Sequence, residues 1–411
     1  MTDTLKPRDG KDVESAVQWA LAEAKSLEIV GHGSKRGIGR PAQTDLTLDL
    51  SPLTGVTLYE PEELVLTTRA GTPIAEIEAL VASSGQQLAF EPMDYGPLLG
   101  GTPGRGTVGG ALAANLSGPR RIKAGAARDH FLGFTAVSGR GEIFKSGGRV
   151  VKNVTGYDLC KLMAGSWGTL AALTEVTIKT LPRPETEATV AIVGLDDVAA
   201  VKAMTATMGS SCDVSGAAHL PAAVAASLPL AQAAGGGRAL TLLRLEGVAP
   251  SVAHRQAALI GIVKPFGDVV AVAEASSGPL WQAVRDVLPF AASRTGAEAP
   301  LWRVSTAPTQ GATLARMVAG ASGANALFDW AGGLVWLSIP DARDDAAAPA
   351  VRRAVAACGG HATLIRAPAA LRAAVEPFEP QDAGLAALTK RVKEGFDPKG
   401  VFNTGRMWAG V

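Results

Sequence analysis

Residues 100–130, GGTPGRGTVGGALAANLSGPRRIKAGAARDH, decide how the rest of this chain is interpreted. Eight of these residues are glycine. A segment with so few large side chains cannot fill a hydrophobic core. It can bring backbone N–H groups close to a ligand, because glycine lacks a Cβ atom and adopts positive φ angles. The stretch therefore predicts a loop that closely approaches a bound group.

Length and composition point to a globular protein of two or three domains. The chain has 411 residues, of which 47% are hydrophobic and 19% are charged, so large cores can form. Lys and Arg number 39 against 38 Asp and Glu, a formal net charge of +1. This balance argues against a nucleic-acid-binding protein and against attachment to an anionic membrane surface.

The cysteines and the chain termini indicate a cytoplasmic location. Cys160, Cys212 and Cys358 are isolated, so the sequence predicts neither a zinc site, an iron–sulfur site nor a disulfide framework. The N-terminal residues lack the apolar segment of a secretory signal. The most apolar tract, residues 217–234, is too often interrupted by proline and polar residues to form a transmembrane helix.

Hydrophobic periodicity predicts alternating helices and strands in the first 180 residues. The helices are expected at 11–26, from Pro73 to Gly85 with Thr72 as its cap, and at 159–164 with Asp158 as its cap. The strands are expected at 27–30, 46–50, 65–69, 131–138, 142–145 and 173–180.

The amino-acid composition changes after Pro182 and Pro184. Alanine dominates, and strands are expected at 188–193, 240–245, 269–273 and 334–339, among alanine-rich helices, with two similar halves as one option. Residues 341–350 are expected to form an exposed linker or the start of a helix. The end of the chain predicts a helix at 385–393 and a turn-rich tail, FDPKGVFNTGR. We therefore divide the chain into domains at 1–184 and 185–383, followed by a C-terminal segment at 384–411.

A first glycine-rich loop, GHGSKRGIG at residues 31–39, follows a predicted strand. A dinucleotide-binding Rossmann motif would need glycine where Arg36 stands, and the helix breakers at 37, 39 and 41 prevent a helix there. A Walker A motif is excluded because Gly-Lys-Ser/Thr is absent. Two interpretations remain. One is a nest of N–H groups with Ser34 and Lys35 available to a phosphate, and the other is a glycine-rich turn without a ligand.

A second motif, TVGGALAAN at residues 107–115, places small residues at 109, 110, 113 and 114. A helix with this face lets a planar or phosphate-bearing ligand lie near its N-terminus. Tight packing of the helix on a sheet would also use small residues. Two glycine-rich loops in one N-terminal domain favour the ligand.

Several segments together resemble a known flavoprotein family. They are GHGSKRGIG, GGTPGRGTVGGALAANLSGPRR, VVKNVTGYDLCKLMAGSWGTLAALTEVTIKTLPRPE and FDPKGVFNTGR. The chain resembles the vanillyl-alcohol-oxidase or p-cresol-methylhydroxylase (PCMH) type of FAD-binding proteins. Within that type it is similar to the FAD-binding subunits E of glycolate oxidase (glycolate dehydrogenase). The resemblance covers residues 25–185 and the tail, and is looser between them.

The resemblance implies an α+β fold. This is a PCMH-type two-subdomain FAD-binding domain, with an α+β cap domain and a C-terminal segment that returns to the FAD domain. It also implies these FAD-binding residues: Gly31, Gly33, Ser34, Lys35, Gly37, Pro103, Thr107, Gly109, Gly110, Ala113, Asn115, Gly156, Tyr157, Gly168, Ile178 and Asn403. The family's Arg-Asp pair, here Arg128 and Asp129, is expected to form an ion pair that locks its loop.

The chain departs from the family in ways that bear on chemistry. Where the family usually has Ser-Glu-Gly-Thr, this chain has Ser166-Trp167-Gly168-Thr169, so any role of that glutamate is lost. Some relatives hold FAD covalently through a histidine in a glycine loop. The surroundings of His32 resemble those of the noncovalent branch, so we expect dissociable FAD.

A complete hydroxy-acid site is not evident in the sequence. Oxidation of a 2-hydroxy acid needs a cation for the carboxylate, a base for the hydroxyl proton and the flavin. Related dehydrogenases carry an H-x-G-D-G-N-x-H metal-binding segment, which this chain lacks, and its five histidines are not spaced as metal ligands. We therefore predict no metal and assign no catalytic residue. Arg303 and Arg366 could clamp a carboxylate, but their local sequence does not distinguish them from surface arginines.

The resemblance implies the FAD-binding subunit of a multi-subunit glycolate dehydrogenase that converts glycolate to glyoxylate and passes electrons to a non-oxygen acceptor. Its implied partners are a larger flavoprotein subunit and an iron–sulfur subunit. The complex would be cytoplasmic or would lie peripherally at the inner face of the membrane, and this chain would not be active alone. The alternatives are a free-standing FAD-dependent hydroxy-acid or alcohol dehydrogenase, and a non-catalytic assembly subunit with a vestigial flavin site.

Overall fold

A computed structural model of the chain describes residues 3–149, 156–340 and 345–411. Residues 150–155 of the VVKNVTGYD motif, and 341–344 of the expected linker, lie outside the described residues. The described chain is an α+β fold built on four sheets.

Three of the sheets lie in the N-terminal region. A parallel sheet has the strand order β1-β3-β2, an antiparallel sheet has the order β4-β5-β9-β7-β8, and β6 pairs with β10. The strands are β1 (Thr4–Leu5), β2 (Leu27–Val30), β3 (Leu46–Asp49), β4 (Val56–Glu60), β5 (Val65–Arg69), β6 (Gln86–Gln87), β7 (Phe131–Ser138), β8 (Ile143–Gly147), β9 (Ala171–Lys179) and β10 (Leu181–Pro182).

The described part of this region also contains seven helices, and those at 10–22, 74–83, 108–113 and 159–163 follow the predictions. The seven helices are α1 (Gly10–Ala22), α2 (Ile74–Ser83), α3 (Tyr95–Leu98), α4 (Val108–Ala113), α5 (Arg121–Ala124), α6 (Ala127–His130) and α7 (Leu159–Met163). Asp158 caps α7 as predicted, because its carboxylate accepts a bond from the N–H of Lys161. The prediction that Thr72 caps α2 was wrong. Its hydroxyl donates to the carbonyl of Arg69 instead.

The rest of the chain builds an eight-stranded antiparallel sheet. Its strands are β11 (Thr186–Val193), β12 (Gly216–Leu220), β13 (Leu240–Gly247), β14 (Asp268–Val272), β15 (Leu301–Ser305), β16 (Asn325–Asp329), β17 (Leu334–Ser338) and β18 (His361–Arg366). Its helices are α8 (Asp197–Met208), α9 (Ala222–Ala226), α10 (Pro229–Gly235), α11 (Ala249–Val263), α12 (Glu274–Arg285), α13 (Ala292–Thr295), α14 (Gly311–Ser322), α15 (Ala348–Cys358), α16 (Ala369–Ala374) and α17 (Ala383–Phe396). Short 3-10 turns join several of these elements.

This large sheet consists of two halves that follow each other in the chain. The order is β14-β11-β13-β12 and then β16-β17-β15-β18, with the halves joined where His219 pairs with Phe328. Helices α8, α11, α14 and α15 cover one face with apolar side chains. The other face packs against the N-terminal region in a core that contains Tyr95, Leu116 and Trp336. No helix in the described ranges has the length and apolar character needed to cross a bilayer.

The C-terminal tail returns to the N-terminal region, as expected, and a buried ion pair holds it there. The ammonium group of Lys393 donates to Asp397, to the carbonyl of Thr169 and to the carbonyl of Phe402, each within 2.8 Å. Asp397 also accepts the N–H groups of Val401 and Phe402 at 2.8 Å. Because every bond of this cluster is buried, the tail is fixed beside β2.

Replacing Asp397 with Ala should destabilise the fold strongly. The change leaves the Lys393 ammonium buried without its counter-ion, which costs about 3–5 kcal/mol when one partner of such a pair is removed. Chemical denaturation followed by circular dichroism measures the loss.

Glu394→Ala is the matched control for Asp397→Ala. It removes a carboxylate from the same helix turn, but its pair with Lys390 is exposed and 4.0 Å long. An exposed pair of this kind contributes less than about 1 kcal/mol. Equal losses in the two variants would show that the buried cluster is not what holds the tail.

Candidate functional site

A narrow cleft runs between the loop after β2, helix α4 and the C-terminal tail. One stretch of it is apolar and the other carries polar and cationic groups. Its lining residues are Ile29, Val30, Gly31, His32, Gly33, Ser34, Lys35, Arg36, Leu50, Ala70, Thr107, Gly109, Gly110, Ala113, Ala114, Trp167, Gly168, Ala171, Leu173 and Arg406.

The loop after β2 presents a row of free backbone donors. Within the described residues, the N–H groups of His32, Gly33, Ser34 and Lys35 donate no hydrogen bond. Gly33 has a φ of +73°, in the left-handed region that glycine adopts readily. Four adjacent donors of this kind form a nest that binds anions.

Two cations reinforce this nest. Lys35 and Arg406 both line the cleft, and neither forms an ion pair within the described part of the chain. Burial, followed by the nearby Arg406 charge, lowers the pKa of Lys35 to about 8. Burial likewise lowers the pKa of Arg406 to about 10. Positive charges held together without a counter-ion favour an anionic ligand.

The second glycine motif has a different physical role from the first. Its N–H groups are already used, since Val108 donates to the carbonyl of Thr72 and Gly109 to that of Ala70, both at 2.9 Å. The N–H of Gly110 donates to the Thr107 hydroxyl at 3.3 Å. A Cβ atom on Gly109 would lie 2.7 Å from the Ala70 Cβ. This motif therefore brings α4 close to the sheet and narrows the cleft, and its N–H groups are not free for a phosphate.

Asn403 supports the cleft from behind. Its side-chain oxygen accepts the N–H of Ile29 and its amide group donates to the carbonyl of Trp167, both at 2.9 Å. It is only 2% exposed. Asn403 therefore joins strand β2, which leads into the first loop, to the loop of Gly168, and both of its polar side-chain atoms are used within the protein.

The structure brings most of the predicted site residues together, in the cleft itself. These are Gly31, Gly33, Ser34, Lys35, Thr107, Gly109, Gly110, Ala113 and Gly168. Gly37 lies in the same loop as Gly31 but does not line the cleft. Asn115 does not line it either, and its side-chain Oδ1 atom accepts the N–H of Arg128. Pro103 lines a neighbouring cavity that meets the cleft at Lys35.

The remaining predicted residues lie elsewhere. The side chain of Ile178 is fully buried in the core of the N-terminal region. Gly156 is exposed, and Tyr157 is 91% exposed. The predicted Arg128–Asp129 pair has its charged atoms 3.9 Å apart, while Asp129 also accepts the N–H of Ala126. That local bond helps to fix the loop.

Sequence reasoning missed several residues of the cleft. Arg406 belongs to the FNTGR tail, and its position depends on the path of that tail. Trp167 was noted only as a departure from the family. Leu50, Ala70 and Ala114 are ordinary apolar residues, and no local signal separates them from core residues.

Arg303 and Arg366, the two candidate carboxylate clamps, differ in the hydrogen bonds of their side chains. The guanidinium of Arg366 donates to three backbone carbonyls and to the Thr295 hydroxyl, all within 2.9 Å. Arg366 is therefore a structural residue. The guanidinium of Arg303 makes no hydrogen bond or ion pair within the described residues. In those residues no group of three or more His, Cys, Asp or Glu side chains is arranged to hold a metal ion.

The cleft as a whole fits a dinucleotide. The free donors, Ser34 and the two cations suit a diphosphate. Next to them, Trp167 and the apolar side chains of Ile29, Leu50 and Leu173 can enclose a flat heteroaromatic ring.

Known proteins resemble this chain in sequence and in fold. A family described as "FAD binding domain" matches residues 4–147. The "Glycolate oxidase subunit GlcE" of Escherichia coli K12 is 34% identical over 395 residues, which is 96% of this chain and 95% of that protein. The "Glycolate oxidase subunit GlcD" of Bacillus subtilis is 29% identical over 45% of this chain and 38% of its own length. A crystal structure of p-cresol methylhydroxylase aligns with a TM-score of 0.68 at 14% identity, covering 99% of this chain and 88% of that one. The fold is therefore of the PCMH type.

Replacing Gly31 with Ala should disturb the cleft. The added Cβ would lie 2.6 Å from the Thr107 hydroxyl, which caps α4. Overpacking of this kind costs about 1–3 kcal/mol, and we expect FAD to bind at least tenfold more weakly. Fluorescence titration with FAD measures the affinity.

Gly37→Ala is the control in the same loop. No atom lies within 4 Å of a Cβ at this position, and the residue does not line the cleft. It should bind FAD like the unaltered chain. If Gly31→Ala also bound FAD normally, the ligand would not occupy this cleft.

Proposed function

The chain belongs to the family of glycolate oxidase subunit GlcE, and on that premise we propose that it is the FAD-binding subunit of a multi-subunit glycolate dehydrogenase. The complex oxidises glycolate to glyoxylate and passes the electrons to an acceptor other than oxygen. FAD, when bound, supplies the two-electron oxidation. The residues of this chain bind and orient it.

The observation that carries this proposal is the unmatched positive charge of the cleft. Four free N–H groups, Lys35 and Arg406 lie along one cleft, and within the described residues neither cation forms an ion pair, so the site suits a diphosphate. A vestigial flavin site would have no reason to retain buried cations, whose desolvation lowers stability.

We propose that the FAD is noncovalent. His32 lines the cleft, and its Nδ1 atom lies 3.1 Å from the guanidinium of Arg105. Burial, then Arg105, lowers the pKa of this imidazole. A ring held by that contact is a structural element of the loop.

We further propose the domain division 1–184, 185–383 and 384–411, with a larger flavoprotein subunit and an iron–sulfur subunit as partners. We also propose that the chain is not active alone. In support, no group of three or more His, Cys, Asp or Glu side chains in its described residues is arranged to hold a metal ion. The three cysteines are free, as suits a reducing cytoplasm. The complex lies in the cytoplasm or peripherally at the inner face of the membrane.

Purification tests this function directly. The chain expressed alone should show a flavin spectrum, release its FAD on acid precipitation and oxidise little glycolate, whereas the co-purified complex should be fully active. Full turnover by the isolated chain would favour a free-standing dehydrogenase. A colourless chain that takes up no FAD would favour the vestigial site, and flavin remaining on the precipitate would contradict noncovalent binding.

The affinity for FAD should depend on pH through Lys35. The pKa of Lys35 is about 8 in the free chain, and a bound diphosphate favours the charged form and raises it. Binding then takes up a proton between the two pKa values. The affinity should be constant below pH 7 and fall above pH 8 by up to about tenfold per pH unit.

Titrations of FAD from pH 6 to 10 measure this dependence. Lys35→Arg stays charged and should lose the dependence, while Lys35→Met should bind weakly at every pH. An unaltered slope in Lys35→Arg would assign the proton to another group.

A further inference from the structure

Two arginines project from one face of the large sheet toward the N-terminal region, and within the described residues only one of them has a carboxylate partner. Arg244 on β13 is 1% exposed and forms a two-bond ion pair with Glu91 at 2.9 and 3.0 Å. Arg303 on β15 lies directly across from Trp336, which belongs to the core on this face. Its partly buried guanidinium has no hydrogen bond and no ion pair within the described ranges of the chain.

A second unpaired arginine lies beside the first. The guanidinium carbon of Arg121 is 4.2 Å from the centre of the Trp330 ring, and that of Arg303 is 5.1 Å from it. The two carbons are therefore at most about 9 Å apart. Arg121, in α5, follows the second glycine motif and likewise has no carboxylate partner among the described residues. Two like charges share one indole ring, and cation–π contacts only partly offset their desolvation.

The ring between them is held firmly. Trp330 has a φ of +52°, which is unfavourable for a large side chain. Its ring N–H donates to the carbonyl of Gly118 at 3.0 Å, and its backbone N–H donates to Asp329 at 2.7 Å. The chain thus maintains a strained residue in one position, with both arginines against it.

The groups around the arginines do not neutralise them. Tyr95 and Asp329 are the acidic groups that raise the pKa of Arg303 by charge interaction. Asp129 does the same for the pKa of Arg121. Burial raises the pKa of Asp329 to about 7 and that of Tyr95 to about 12. Asp129 is half-exposed and lies near Arg128. A charge imbalance therefore persists at neutral pH.

We propose that Arg121 and Arg303, set against Trp330, form a binding site for the carboxylate of a small 2-hydroxy acid. This inference rests on the proposed function, because it places that substrate class on this chain. Guanidinium groups match carboxylate geometry and are the usual choice for such recognition. Trp336, directly across from Arg303, has its ring centre 6.4 Å from that of Tyr95, and Tyr95 lines the cavity that meets the cleft at Lys35, so the site adjoins the cofactor region.

The test is direct binding of radiolabelled glycolate to the FAD-loaded chain by equilibrium dialysis. The chain should bind one glycolate, Arg303→Met and Arg121→Met should each bind it at least tenfold more weakly, and Arg303→Lys should retain part of the affinity. FAD content should be unchanged in all variants. Arg316→Met, which alters an exposed and unpaired arginine on α14, should bind glycolate normally.

Thermal stability separates a binding role from a structural one. Removing an unpaired, partly buried cation should not lower the melting temperature, so Arg303→Met should melt no lower than the unaltered chain. A clear loss of stability would make Arg303 structural and overturn the proposal.

Three further outcomes would also overturn the proposal: no glycolate binding by the FAD-loaded chain, unchanged binding in both Met variants, or equal competition by sulfate, which would indicate a general anion site. The first leaves FAD binding intact, so the two proposals fail separately. If the chain takes up no FAD, the proposed function fails, and glycolate binding by the same preparation still decides the arginine site.

Discussion

The buried ammonium group of Lys393 is the constraint on which the geometry of the cleft depends. It bonds to the loop that precedes β9 through Thr169 and to the tail through Asp397 and Phe402. If the tail moved away, the buried Lys393 ammonium would lose its counter-ion, which costs a large amount of folding free energy. The tail in turn places Asn403 between two walls of the cleft and Arg406 against the carbonyl of Lys35. A single helix residue thus sets the spacing of groups far apart in sequence.

A second cluster of charges holds the large sheet against the N-terminal region. Arg120 bonds to Glu246, while Arg244 bonds to Glu91. Nearby Arg244 and the hydrogen bond from Arg120 outweigh burial and hold the pKa of Glu246 at about 2. Removing a member would leave another buried and unpaired. At the same interface, Arg121 and Arg303 have no carboxylate partner in the described parts of the chain, so pairing there is selective. The formal net charge of +1 does not reveal which arginines are paired and which are not.

The sequence predicted local elements well and long-range pairings poorly. The strands Leu27–Val30, Val65–Arg69 and Phe131–Ser138 appear where apolar residues and glycine boundaries predict them. The strand Gly216–Leu220 was missed, because an alanine-rich run buried on both faces has no alternation. The strands Val56–Glu60, Leu301–Ser305 and Asn325–Asp329 were missed as well. The cleft was found through its glycines. Arg406 could not be placed, since its position follows from a cluster of buried bonds at Lys393 that no spacing reveals.

The two glycine-rich loops look alike in sequence, but their backbone N–H groups have different roles. In the first, glycine frees the backbone donors of His32 to Lys35, and the loop can bind a charge. In the second, the donors are consumed by Ala70, Thr72 and Thr107, and glycine only permits the backbones to approach. Composition alone cannot separate these roles, because both require the absence of a Cβ atom. What separates them is whether another part of the chain supplies the acceptors, and that is a property of the tertiary fold.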